Sequence, residues 1–211
     1  MNTHAMLCAA TLAMIAAPSM AADLSAHIGY NSQYIFRGIP QHTSSFFGGA
    51  ELGAGGFYLG TWAADVGDGL EVDYYGGYGL ERGDFGFSLG ATWYTYTDDF
   101  DDDYLELNLG ARWRWLAFDA AFGEYRNFGG PTLDYGFYSL TASHRGFYGV
   151  VGTFAHDFDG SYFEAGYGGT LTIDERPLLD YALAIVHSDG TLLGGNAATH
   201  VVLTVSRTLG F

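Results

Sequence analysis

The chain has 211 residues, a formal net charge of −16, eight arginines and no lysine, a balance that excludes a nucleic-acid partner because phosphate contacts need clustered cations. Charged residues make up 15% and aromatics 17%, with 32 glycines; soluble domains carry roughly 25% charge, so this composition is too poor in charge to clothe a water-facing surface. The acidic excess favours cationic partners, or a pore that prefers them, and no linker divides the chain, so one domain is expected.

Residues 1–21 read as an export signal. Met6 to Ala17 is apolar but too short for a good membrane span, and Pro18-Ser19-Met20-Ala21 ends it with the small residues a signal peptidase prefers. Cleavage is expected after Ala21, with Ala22 as the alternative, leaving residues 22–211. The start of the signal departs from the usual pattern, since only the amino terminus and His4 bring charge there. Cys8, the one cysteine, lies inside it, so the exported chain has no thiol chemistry.

From residue 24 the sequence alternates. Leu24, Ala26, Ile28, Tyr30, Tyr34 and Phe36 share one parity, while His27, Gly29, Asn31, Gln33 and Arg37 share the other. This is a period-two strand with one apolar and one polar face. In 70–81, Leu70, Val72, Tyr74, Tyr78 and Leu80 oppose Glu71, Asp73, Gly77, Gly79 and Glu81. In 104–113, Leu105, Leu107, Leu109 and Trp113 oppose Glu106, Asn108 and Arg112. Strands at 116–125 and 178–187 follow the same rule. The runs predict about twelve strands, starting near 24, 45, 56, 70, 85, 104, 116, 133, 147, 161, 178 and 199. Those near 56, 133 and 147 have mixed parity, which keeps ten strands open. Glycine-rich and acidic turn signals separate the runs at short spacing.

Parity alone does not say which face meets water, since a lipocalin-like barrel has the same period turned inside out. Three features select the membrane. The polar faces are rich in glycine and thin in charge. Aromatics gather toward strand ends, as in Trp93-Tyr94-Thr95-Tyr96 and Trp113-Arg114-Trp115, as interfacial girdles do. Phe211 shares the apolar parity of Leu209, Val205, Leu203 and Val201, resembling the terminal signal of outer-membrane barrels. The expected fold is an all-β, antiparallel transmembrane barrel in the bacterial outer membrane, in contact with its lipid and lipopolysaccharide. Closure satisfies every backbone group, as hydrocarbon requires.

Charge sorts by end. Arg82, Arg112, Arg114, Arg145 and Arg176 fall at the turns on the side of the termini. The opposite connections carry acid, above all Asp98, Asp99, Asp101, Asp102 and Asp103. These acids are either solvated loop residues or an external mouth that concentrates cations over a range of about 8 Å.

QYIFRGIPQ at 33–41, GFYLGTWAADV at 56–66 and EVDYYGGY at 71–78 together resemble the TorF-like porins, a proteobacterial outer-membrane family. The likeness covers about the first third of the chain, and Pro40 departs from the small polar residue expected there. It implies a porin-like barrel without specifying a solute.

On this reading Arg37 faces the lumen near the outer mouth and Phe36 faces lipid. Arg37 is then expected to pair with Glu51, Glu71 or Asp73, either bracing the lumen or selecting solutes. Asn31, Gln33, Glu106, Arg112, Asp119 and Glu124 complete the candidate lining. Asp99 to Asp103 begin like a calcium loop, but Tyr104 and Gly110 occupy its glycine and glutamate positions. His27, His42, His144, His156, His187 and His200 lack ligand spacing, and no cofactor is expected. His187 and Ser188 are adjacent and so on opposite strand faces, and His42 and Ser44 share parity but are expected in a loop, so the chain does not read as an enzyme. The expected function is passive diffusion of small hydrophilic solutes, with cations preferred. The rivals are a non-conducting barrel with a plugged lumen and a lipid-modifying enzyme.

Overall fold

The computed structural model describes residues 22–211, and the expected export signal lies outside the described residues. Twelve antiparallel strands follow one another in the chain: β1 Asp23–Phe36, β2 Ile39–Ala54, β3 Phe57–Asp65, β4 Leu70–Arg82, β5 Phe85–Tyr96 and β6 Tyr104–Trp113, then β7 Leu116–Tyr125, β8 Leu133–His144, β9 Phe147–His156, β10 Ser161–Ile173, β11 Arg176–Ser188 and β12 Ala198–Gly210. Each pairs with its sequence neighbours, and β1 pairs with β12, closing the sheet into a barrel. The expectation of an antiparallel barrel of about twelve strands holds.

Alternation decides the two faces. Ile28, Leu59, Leu107 and Ile185 stand outward and exposed, as do Trp93 and Trp113 nearer the strand ends. Their period-two partners point inward: Leu107 is flanked by Glu106, 1% exposed, and by Asn108. An exterior this apolar, on a sheet whose edges are closed, is a lipid-facing surface, and strands of about 9–11 residues suffice to cross the hydrocarbon. Tight turns such as Gly55-Gly56 and Arg145-Gly146 sit at the end that carries both termini, and longer connections occupy the far end.

The wall departs from a plain barrel at one place. Pairing between β1 and β12 runs from Ser25–Gly210 to Asn31–Thr204 and stops, although β1 continues to Phe36 and β12 begins at Ala198. Likewise β2 meets β3 only from Phe47–Ala64 onward, yet starts at Ile39. Residues 32–46 therefore form a two-stranded ribbon paired with itself, Gln33 to Thr43 and Phe36 to Ile39, and detached from the wall. This is why β2 begins earlier than the expected position near 45, and why His42 and Ser44, expected in a loop, lie on it.

The lipid-facing assignment makes depth the controlling variable for substitutions on the outer face. Leu107→Arg, at mid-strand, should cost roughly 2–4 kcal/mol of barrel stability, whereas Phe57→Arg, beside a terminal-end turn, should cost roughly 0–1 kcal/mol. Urea-dependent refolding into phospholipid vesicles measures both.

Candidate functional site

Arg37 and Gly38 are the two central residues of the tight turn at the ribbon tip, with φ of 49° and 82°. Positive φ at both positions is the geometry that lets a two-residue turn follow strand twist. At Gly38 a Cβ would lie 2.6 Å from Tyr162 Cβ and 2.9 Å from a Leu192 methyl, so only glycine permits this approach to the wall. Ser188 Oγ donates to the Gly38 carbonyl at 2.5 Å. The tip of a hairpin that starts at the β1–β12 seam thus reaches β10 and β11, lying across the lumen as a lid below the far rim.

The bend has its own chemistry. Ser44 takes φ of 65° where β2 leaves the wall. Ser32 Oγ accepts from the Leu203 N–H at 2.9 Å, and Ser45 Oγ donates to the Asp65 carbonyl at 2.6 Å. Serine hydroxyls on the ribbon therefore contact the backbone of β12 and β3 at the level where ladder pairing ends.

Arg37 is 5% exposed and makes a two-pronged contact with Glu106 of β6, Nη1 to Oε1 at 2.5 Å and Nη2 to Oε2 at 3.0 Å. Its guanidinium carbon lies 4.3 Å from the ring centroid of Phe137 on β8 and 4.8 Å from that of Phe36. Glu106 also accepts from Tyr94, Tyr135 and Asn108 at 3.0, 2.7 and 2.9 Å. A carboxylate this deeply buried persists as an ion only with such a set of donors. On the other side, Tyr34 of the ribbon donates to buried Glu71 at 2.9 Å. Asp73, also buried, leaves Oδ1 without a partner.

Several expectations change here. Arg37 pairs with Glu106 and not with Glu51, Glu71 or Asp73, because the ribbon crosses the lumen and does not rise along the wall. For the same reason Phe36 packs on the inward Tyr94, ring centroids 5.6 Å apart, and does not face lipid. Glu124 is exposed on the parity of Phe118 and Phe122, so it stands on the outer face near the far rim and not in the lumen. Asn31 accepts from Thr204 at 2.7 Å, and Gln33 meets His200 at 3.1 Å. Glu51 and Asp119 are half-buried, and Arg112 bonds Glu81 at 2.5 Å toward the terminal end.

The acidic connection between β5 and β6 is internally engaged. Asp101 accepts from Tyr104 and Tyr125, Asp102 caps the Phe128 N–H, and Asp103 meets Arg126 at 3.2 Å. Asp98 and Asp99 are exposed with φ of 57° and 55°.

Sequence reasoning named no residue of the aromatic part of the lumen. Tyr135, Phe137, Tyr148 and Phe154 are buried inside, packed with Ile35 of the ribbon. It also missed Glu164, which accepts from Tyr148 at 2.8 Å. Glu164 shares parity with Gly166 and Gly168, and that alternation was the available signal. A cavity of about 10 Å³, about one water in size, remains beside Gln33, Ile35 and Glu164.

Removing one partner of a buried pair strands the other charge. Arg37→Ala should loosen the docked lid by about 3–5 kcal/mol, while the joint change Arg37→Met with Glu106→Leu should restore most of the loss. Amide hydrogen exchange across residues 33–43 reads both outcomes, as a large gain in exchange for the single variant and little for the double.

Solved outer-membrane barrels are similar in outline: OccAB3 of Acinetobacter baumannii, at 12% identity over 87% of this chain and 60% of that one, with a TM-score of 0.45; and OprD of Pseudomonas aeruginosa, at 12% identity over 80% and 60%, with a TM-score of 0.44. The chain thus spans about three fifths of the length of these structures. No curated protein matches. Residues 15–148 match the family described as bacterial protein of unknown function (Gcw_chp). That segment contains the stretches resembling TorF-like porins, together with the lid, Glu71, Asp73, Glu106 and Phe137. The match covers more than half of the chain, which therefore belongs to the Gcw_chp family of bacterial proteins.

Proposed function

We propose that the protein is a porin-like channel of the bacterial outer membrane for small hydrophilic solutes, with a preference for cations, and that the ribbon of residues 32–46 is its gate. The observation that carries this reading is the unfinished seam. Continuing the β1–β12 register past Asn31–Thr204 sets Ser32 opposite Leu203, Gln33 opposite Val202, Tyr34 opposite Val201 and Phe36 opposite Thr199. In that upright position the alternation of residues 24–37 is restored, with Tyr34 and Phe36 toward lipid and Gln33 and Arg37 toward the lumen. The lid is then a displaced piece of wall, and its return would clear the far end.

The lumen below the lid supports passage. Ser88, Asn108, Gly110 and Thr141 line it as small or polar residues, and Glu51, Asp119 and Glu164 supply negative charge. Arg112, already bonded to Glu81, stands toward the terminal end. An acidic lining favours cations.

A second reading, a non-conducting barrel with a plugged lumen, draws on a specific observation: ribbon and aromatic side chains pack together at the far end around a small cavity beside Glu164. Planar-bilayer recording of a Tyr34→Cys/Val201→Cys variant separates the two. The porin reading expects small or rare conductance steps from wild type, large sustained steps once the engineered disulfide holds the ribbon upright, and a reversal potential of cationic sign under a salt gradient. An oxidised variant that shows no steps would establish the plugged barrel instead.

A further inference from the structure

The lid closes onto a site whose chemistry exceeds what a latch requires. Arg37 presents a planar cation to Glu106 in a two-pronged contact and lays its face over Phe137. Three further wall side chains, Tyr94, Tyr135 and Asn108, hold the carboxylate in that orientation. All five of these residues belong to the wall, on β5, β6 and β8, so they stay when the ribbon leaves. Fork-shaped pairing and an aromatic face together are the pattern by which a guanidinium is distinguished from a compact cation.

The nest is also more acidic than its occupant can balance. Asp73 lies opposite Tyr94 in the sheet, next to the hydroxyl donor of Glu106, and shares the field of Arg37 with Glu71. Both carboxyls are at least nine-tenths buried. Yet Asp73 Oδ1 has no partner, and neither has the buried Nε of Arg37. The tether explains the mismatch, because the Nε of Arg37 is bound to a stem fixed by the turn. A free guanidinium can turn until its third nitrogen also finds an acceptor. When the ribbon withdraws, Glu106 loses Arg37 and Glu71 loses the Tyr34 hydroxyl at the same time, leaving three carboxyls without a cation. Among the described residues no cluster of three or more His, Cys, Asp or Glu is placed to hold a metal ion.

We propose that Glu106, Asp73, Glu71, Tyr94, Tyr135 and Phe137 form a binding site for guanidinium-bearing solutes, and that Arg37 is the internal stand-in that occupies it while the gate is shut. This rests on the gated-channel reading for its physiological sense, but binding at the nest does not need conduction. A solute that reaches the site competes with Arg37 for it, so occupancy and lid release are linked.

Isothermal titration of methylguanidinium into detergent-solubilised R37A protein, its barrel verified by circular dichroism, is the test. Saturable binding is expected, weakened at least about tenfold in R37A/E106Q and reduced in wild type by competition from Arg37; methylammonium should bind far more weakly. No saturable binding to R37A, or binding that E106Q leaves unchanged, would overturn the proposal. Should R37A fail to fold, wild type carries the test: methylguanidinium should accelerate amide exchange across residues 33–43 and methylammonium should not, and equal effects of the two would overturn it. Binding without bilayer conductance would remove the channel reading and keep the site, while conductance without binding would do the reverse.

Discussion

Hydrocarbon supplies no hydrogen bonds, so a chain that crosses it must satisfy every backbone N–H and C=O internally. Twelve antiparallel strands meet this demand by closing β1 onto β12. Every other feature works within it, including the lid. A hairpin can leave the wall only where something else meets the backbone exposed by its departure. Here Ser32 and Ser45 contact Leu203 and Asp65 at the seam, and the ribbon pairs with itself. The departure is confined to the far rim, where the chain nears water and the demand relaxes.

Inside the barrel a second balance operates. The lid brings one cation into a region that holds three buried carboxyls, and Glu106 alone receives both prongs of it. A buried ion pair gives little net stability, because desolvation consumes most of the Coulomb gain. Its value lies in position: only one placement of the ribbon puts Arg37 against Glu106 with Phe137 beneath and Gly38 against Tyr162. The pair therefore specifies the docked position of the ribbon more than it adds to stability.

The lumen is divided accordingly. Toward the termini it is lined by glycine and small polar side chains, with Arg112 and Glu81 paired there. Toward the far end it is an aromatic core, Tyr135, Phe137 and Phe154 packed against Ile35. That division accounts for the strands near 133 and 147 whose alternation was mixed. Their inward positions are apolar because they meet a hairpin and not water, so both parities read as oily. Trp62 and Tyr34 repeat the pattern near β3, with ring centroids 5.5 Å apart.

The sequence determined an antiparallel barrel of about twelve strands, because burial in a pleated sheet depends on nearest-neighbour alternation that most single strands display; mixed parity near 56, 133 and 147 kept ten strands open, and scarce charge with strand-end aromatics, not parity, pointed the apolar face to lipid. It also placed Asn31, Glu71, Asp73 and Glu106 on inward positions. Two things were decided only in three dimensions. Arg37 and Glu106 are 69 residues apart, and their meeting depends on where a detached ribbon points, which no local spacing encodes. The alternation of residues 24–37 describes an upright strand, while in the folded chain its pairing with β12 ends at Asn31 and the rest turns inward with the start of β2. Both arrangements satisfy the same local rules, and contacts from the opposite wall choose between them.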